Sequence, residues 1–206
     1  NITIAQNITV SGTGTLHLEA DSEHSSSGGG DGTGTLSIAG GATVSTSNTA
    51  ITLIGADFAI NNTGSINSGS GNIAIGQSVT GQSLALGSAT SSLLTNTELG
   101  LITTTGTLTI GQATTKGSDG AGTSASTLTS AAITLDELTQ GSKNLTLVSS
   151  STINDDDDTG AAITTSGTLT LTSGAAIGSS GGSQGLDIDV ATLAITGTGS
   201  GNVTVT

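Results

Sequence analysis

Apolar residues in this chain come in pairs, with one small residue between the two members, and the pair recurs from end to end. Residues 106–115 read Gly-Thr-Leu-Thr-Ile-Gly-Gln-Ala-Thr-Thr, and residues 71–80 read Gly-Asn-Ile-Ala-Ile-Gly-Gln-Ser-Val-Thr. Five of the ten positions are identical. Alternation of this kind places Leu108 and Ile110 on one side of an extended strand and Thr107 and Thr109 on the other. Further copies stand at Leu16/Leu18, Leu36/Ile38, Leu145/Leu147, Leu169/Leu171 and Val203/Val205. Gly-Thr precedes four of them, at residues 14, 34, 106 and 167, and Asn precedes three, at residues 72, 144 and 202. Shorter runs at 51–53, 58–60, 84–86, 133–135, 188–190 and 193–195 read as secondary strands between the copies. No stretch holds an apolar stripe of period 3.6 long enough for a helix.

Spacings between copies are 20, 37, 35, 37, 24 and 34 residues. Most are near one or two multiples of a repeat of about 18–20 residues, within the range of solenoid repeats. Short strands, Gly-rich punctuation and this periodicity predict an all-β fold, a parallel β-helix (β-solenoid) of roughly ten rungs. A β-sandwich with strands every 8–12 residues is the alternative. Residues 19–33 and 174–185 break the rhythm as polar loops, and the pattern resumes after each. A single domain over 1–206 is therefore expected.

Composition narrows the partners. Phe58 is the only aromatic residue, Cys is absent, and charged residues make up 8%. The net charge is −13, with Lys116 and Lys143 as the only strong bases. That balance argues against nucleic acid and anionic membranes as partners. No run reaches the 18 or more apolar residues of a membrane-spanning helix, so no membrane insertion is expected. Without Cys there are no disulfides, thiol nucleophiles or Cys-metal sites. Asn1 opens the sequence directly in strand pattern, and Val203–Thr206 end it in strand pattern, which reads as a segment of a longer rod or a subunit that self-associates end to end through open strand edges.

Gly-Thr-Leu-Thr-Ile-Gly at 106–111, preceded by Leu-Thr-Asn-Thr-Glu-Leu-Gly-Leu-Ile at 94–102, resembles the repeats of giant filamentous-haemagglutinin-like bacterial proteins. Residues 51–75 look like a two-rung unit of that family, and Leu135-Asp136-Glu137-Leu138 carries a second Glu-Leu element. The resemblance implies a right-handed β-helix, secreted or displayed at a bacterial cell surface, acting in adhesion or as a fibre. Host or community cell-surface glycans are the implied partners.

Candidate chemistry is sparse. Asp155, Asp156, Asp157 and Asp158 form the only dense acidic run, a candidate Ca²⁺ site to which Asp187 and Asp189 would add ligands if the rungs aligned. The plain alternative is a solvated turn. His17, read as facing solvent, and His24 form a weak metal set with Glu19, Asp21 or Glu23. Asp136 and Glu137 are the nominal carboxylate pair for a polysaccharide-degrading enzyme. Thr-x-Thr spacings such as Thr107/Thr109 and Thr168/Thr170 resemble the ladders of ice-binding solenoids, interrupted here by Ser37 and Ala74. Asn1, Asn7, Asn61, Asn144 and Asn202 stand in Asn-x-Thr sequons. The expected function is a non-enzymatic extracellular structural rod without a cofactor. A polysaccharide-degrading or polysaccharide-binding β-helix is the alternative.

Overall fold

The computed structural model describes residues 1–21, 31–88, 93–116, 125–156, 160–178, 185–198 and 201–206. Its strands follow the apolar pairs. β1 (Ile2–Ile4), β2 (Ile8–Val10) and β3 (Leu16–Glu19) are followed by β4 (Thr35–Ile38), β5 (Thr43–Thr46) and β6 (Ile51–Gly55). β7 (Asp57–Ile60), β8 (Ser65–Asn67) and β9 (Ile73–Gln77) complete a third set. Then come β10 (Leu84–Gly87), β11 (Leu94–Thr95), a short helix α1 (Asn96–Gly100), β12 (Ile102–Thr103) and β13 (Thr107–Ile110). β14 (Gln112–Thr114) and β15 (Thr127–Thr129) precede β16 (Ile133–Asp136), β17 (Leu138–Thr139) and β18 (Asn144–Ser149). β19 (Ile153–Asp155), β20 (Ile163–Ser173) and β21 (Ile188–Thr198) close the series. Strands make up 54% of the chain and helix 3%, so the protein is all-β.

The chain visits its sheets in rotation. β1, β4 and β7 form a first sheet, β2, β5, β8 and β12 a second, and β3, β6, β9, β13, β18, β20 and β21 lie in order in a third, with β17 paired to the start of β20 as its eighth strand. β11, β10, β16 and β19 form a fourth, and every pairing in these four sheets is parallel. None of the sheets closes on itself. In-register pairing stacks like on like. One column of the third sheet runs Leu16, Ile51, Ile73, Leu108, Leu145, Leu169, Leu193, and its neighbour runs Leu18, Leu53, Ile75, Ile110, Leu147, Leu171, Ile195. Ile8, Val44, Ile66 and Ile102 form the matching column of the second sheet. All of these side chains except Ile195, which is exposed, share one continuous core with Phe58. Burying each contributes about 1.5–3 kcal/mol.

Register corrects the repeat length. Ile51 pairs with Ile73, 22 residues on, and Leu145 with Leu169 and Leu169 with Leu193, 24 residues on. The 35- and 37-residue spacings are also single steps, Ile73 to Leu108 and Leu108 to Leu145, each lengthened by an excursion. The expected ten rungs thus reduce to seven successive strands in the third sheet, about 30 Å along the stacking direction. Two copies also change place. Leu36/Ile38 belongs to the first sheet, and Leu193/Ile195 takes the position expected for Val203/Val205. Val203 and Val205 instead form single bridges to Ile177 and Leu186.

The two prefixes, Asn and Gly-Thr, turn out to be the halves of one bond between neighbouring strands. Asn72 Oδ1 accepts from the Thr107 amide at 3.0 Å, Asn144 Oδ1 from Thr168 at 3.1 Å, and Asn1 Oδ1 from Thr35 at 2.8 Å. Asn7 does the same for Thr43 at 2.9 Å, and Asn96 for Thr139 at 2.9 Å. Glycine precedes Thr107 where the carboxamide and the backbone come close, and at Gly34 and Gly167 the close atoms are the Ala20 and Lys143 carbonyl oxygens. A Cβ on Gly106 would stand 2.7 Å from Asn72 Oδ1 and 2.8 Å from Ser70 O. At the same corners, hydroxyls turned inward satisfy backbone groups: Thr104 Oγ1 donates to Gly71 O at 2.6 Å and accepts from Gly106 N at 2.8 Å. Thr165 repeats this with Lys143 O and Gly167 N.

Each bond has a measurable share. Asn72→Ala or Asn144→Ala removes the acceptor for one amide and is expected to lower stability by about 1 kcal/mol. Asn72→Asp, which keeps the acceptor, costs less. Leu108→Ala opens a cavity in the fully buried column and costs about 2–5 kcal/mol. Denaturant midpoints of the purified variants measure all three.

Candidate functional site

The antiparallel hairpin β14–β15 is the one departure from parallel pairing among the described strands. It grows from the end of β13 and lies on the outer side of the third sheet. There Ala113 and Leu128 bury Ile54 and pack against Ala74. Gly76 permits the approach, since a Cβ there would stand 2.6 Å from Ala113 Cβ. Glu19 meets the root of the hairpin: its Oε2 accepts from the Lys116 amide at 3.4 Å and lies 3.0 Å from His17 Nε2. His17 and Glu19 side chains are each only 13% exposed, so the expectation that His17 faces open solvent is corrected. Period-2 alternation sets it outward, but Glu19, two residues on, and the hairpin region lie over that side.

Asp21 stands at the next corner and is 7% exposed. Its Oδ2 accepts from Ser78 Oγ at 2.6 Å and from the Gly32 amide at 2.8 Å. Burial pushes its pKa up, but hydrogen bonding with Ser78, Gly32 and Asp31 outweighs burial and holds it below the ordinary carboxylate value. Asp21 therefore pins residues 31–33 to the corner that follows β9. Of the set His17, Glu19, Asp21, Glu23 and His24, the fold joins His17 with Glu19, while Asp21 bonds elsewhere. Glu23 and His24 lie outside the described residues.

Asp155 ends β19 half-buried and Asp156 follows it exposed, while Asp157 and Asp158 lie outside the described residues. Asp187 accepts from the Thr206 hydroxyl, and Asp189 is exposed on β21 opposite Thr164. Among the described residues, no group of three or more His, Asp or Glu side chains is placed to hold a metal ion. Asn154 Oδ1, on β19, is buried without a hydrogen bond, while its amide donates to Thr152 Oγ1 at 2.9 Å.

Asp136 lies at the end of β16, and Glu137 follows it exposed, with φ +48°. Lys143 is not a free base. Its Nζ donates to Leu99 O at 3.0 Å, at the C-terminal end of α1, and to Gln140 Oε1 at 3.4 Å, and burial lowers its pKa. The threonines do stack on the third sheet. Thr107, Asn144, Thr168 and Thr192 form one row and Thr109, Thr146 and Thr170 the next, ended by Ala74 and Ala194.

A carboxylate that sequence reasoning did not single out has the most defined role. Glu98 Oε2 accepts from the amide and hydroxyl of Thr95 at 3.0 and 2.9 Å, completing a capping box on α1. Its Oε1 reaches across to the Ile60 amide at 3.1 Å and so serves β7, the outer strand of the first sheet. The signal was present as Thr95-x-x-Glu98. Glu98 also borders a shallow recess of about 280 Å³ with Thr3, Ser37 and Ala59. A second recess of about 280 Å³ carries Asp189, and a third of about 240 Å³ is lined by Thr107, Asn144, Thr146, Thr168 and Thr170. Each holds at most one carboxylate, where glycoside hydrolysis uses two.

No protein-family model matches the chain, and neither a curated protein nor a solved structure is similar to it.

Two outcomes follow from this geometry. Asp21 has a folded-state pKa below its ordinary 3.8, so its contribution is complete above that value and is lost as pH falls through the folded one. Asp21→Asn is expected to cost about 1–3 kcal/mol at neutral pH and to flatten the acid limb of the stability curve, read by chemical denaturation at stepped pH. Gly76→Val displaces Ala113. Amide exchange should then rise across β14 and β15 while β13 and β18 keep their protection.

Proposed function

We propose that the chain is a right-handed parallel β-helix serving as a non-enzymatic structural rod, at a bacterial cell surface or outside the cell. One observation carries this reading. β1 to β9 pass through three sheets in strict rotation, three times over, and residues one turn apart pair in register. A coil of this kind buries its apolar columns between faces and runs its backbone hydrogen bonds along the axis. Tension along the rod is then borne by many bonds loaded together. The right hand follows from the rule for parallel crossovers.

Polar chemistry supports a mechanical role over a catalytic one. Glu98, Asp21, Asn72 and Asn144 spend their acceptors on backbone amides or on the hydroxyls that hold corners. The surface placement rests on the resemblance of 51–75 and 94–111 to filamentous-haemagglutinin-like repeats. On that reading the rod is the shaft of an adhesin or a subunit of a surface filament. The rival reading, a polysaccharide-binding face, is favoured by the recess lined with Thr107, Asn144, Thr146, Thr168 and Thr170.

Protease shaving of intact source cells tests the placement. The chain should be lost from unlysed cells, and full retention until lysis would overturn it. Turnover of acidic polysaccharides that disappears in Asp136→Asn or Glu137→Gln would overturn the non-enzymatic role. Soluble glycan binding abolished by Thr146→Lys with the fold intact would establish the rival face.

A further inference from the structure

We propose that Asn61 carries an N-linked sugar, received from a diphosphate-activated donor and seated in the recess beside Glu98. Five asparagines stand in Asn-x-Thr sequons, and all five are exposed. Exposure therefore does not choose among them. Four lead into extended backbone: Asn1 into β1, Asn7 into β2, Asn144 along β18, and Asn202 into Val203, which bridges to Ile177. Three of these have a carboxamide already in use. Asn1, Asn7 and Asn144 give Oδ1 to the amides of Thr35, Thr43 and Thr168. A transferase that drew any of them into its own site would break a bond between neighbouring strands. Asn202 is tied by its backbone: its carbonyl accepts from Ile177 N at 3.0 Å, and Thr204 N donates to Ile177 O at 2.9 Å.

The sequon Asn61-Asn62-Thr63 is built differently. It forms the turn between β7 and β8, closed by Gly64 N donating to Asn61 O at 2.6 Å. Asn61, Asn62 and Thr63 are all exposed, and among the described residues the Asn61 carboxamide has no hydrogen-bond partner. The turn also gathers the two side chains a sequon needs. A Cβ on Gly40 would stand 2.7 Å from Thr63 Oγ1 and 3.0 Å from Asn61 Oδ1, so hydroxyl and carboxamide converge over that glycine. In an extended sequon the same two residues stand about 6–7 Å apart along the strand. The turn has neighbours on both sides. Gly41 N donates to Thr63 O at 3.1 Å on one, and Glu98 of α1 holds the Ile60 amide on the other.

A seat for the sugar lies alongside. Asn61 borders the recess of about 280 Å³ that Thr3, Ser37, Ala59 and Glu98 also line. Thr3 and Ser37 bring hydroxyls, and Glu98 accepts three hydrogen bonds of the roughly four a carboxylate can take. A ring joined to Asn61 presents its own hydroxyls to these groups. In the transfer, Asn61 Nδ2 attacks the anomeric carbon of the donor. The bond from that carbon to the diphosphate oxygen breaks, and the diphosphate leaves with the electron pair. Nδ2 gives up one of its two protons to a base of the transferase, leaving a secondary amide.

Protein isolated from its source cells, digested at aspartate and read by fragmentation mass spectrometry, tests the site. The peptide that begins at Asp57 should carry a sugar mass on Asn61. Asn61→Gln should remove it, Thr63→Ala should lower occupancy about tenfold or more, and Thr63→Ser should keep most of it. Amide exchange across the third sheet checks that each variant is folded. An unmodified Asn61, or equal occupancy at Asn7 or Asn144, would overturn the inference. In the modified chain, Overhauser contacts should join the sugar to the Ala59 methyl, and their absence overturns the seating in the recess. Neither failure touches the rod reading, which rests on strand pairing.

Discussion

In-register parallel pairing between neighbouring strands of the same sheet is the constraint on which the rest of the protein depends. A parallel ladder sets residue i of one strand beside its equivalent in the next, so whatever one layer places at a given height its neighbours must tolerate. Leu, Ile and Val satisfy this because branched aliphatic side chains interlock on copies of themselves about 4.8 Å away. Aromatic rings stack less readily in so narrow an interior, and Phe58 sits over Leu36 in the first sheet as the single case. The corners face the same demand with polar atoms. Thr104 and Thr165 sit buried in corresponding corners and make equivalent pairs of hydrogen bonds.

Carboxylates in this protein behave as backbone acceptors more than as surface charges. Glu98 satisfies an amide of β7 that its own sheet leaves without a strand, and Asp21 holds Gly32 and Ser78 together. Where parallel order is interrupted, a charged or amide side chain closes the gap. Lys143 performs the complementary task at the end of α1, where carbonyls lack intrahelical partners.

The strands were legible in the sequence because period-2 alternation needs only local information. Leu108, Ile110, Leu145 and Leu147 lie fully buried where the pattern put them. Which sheet a strand joins was not legible. Gly34-Thr35-Leu36 and Gly106-Thr107-Leu108 look alike, yet they stand in different sheets because an Asn lies beneath each in a different column. Repeat length was misread for a related reason. An excursion such as the β14–β15 hairpin lengthens the spacing without adding a strand to the third sheet, and only pairing registers expose it. Glu98 was missed although its capping box was in view, since its decisive bond reaches Ile60, 38 residues earlier. The acidic run offered a ligand set by composition alone, and Asp155 is drawn into a strand by its pairing with Leu135.

The asparagine bonds all point one way along the chain. Asn1, Asn72 and Asn144 each offer an acceptor to a strand that is synthesised later, never to one already made. A finished strand therefore presents a prepared acceptor to the strand still leaving the ribosome. The fold carries an arrow in time, so that it can be laid down from its amino-terminal end as the chain appears, without waiting for the whole sequence.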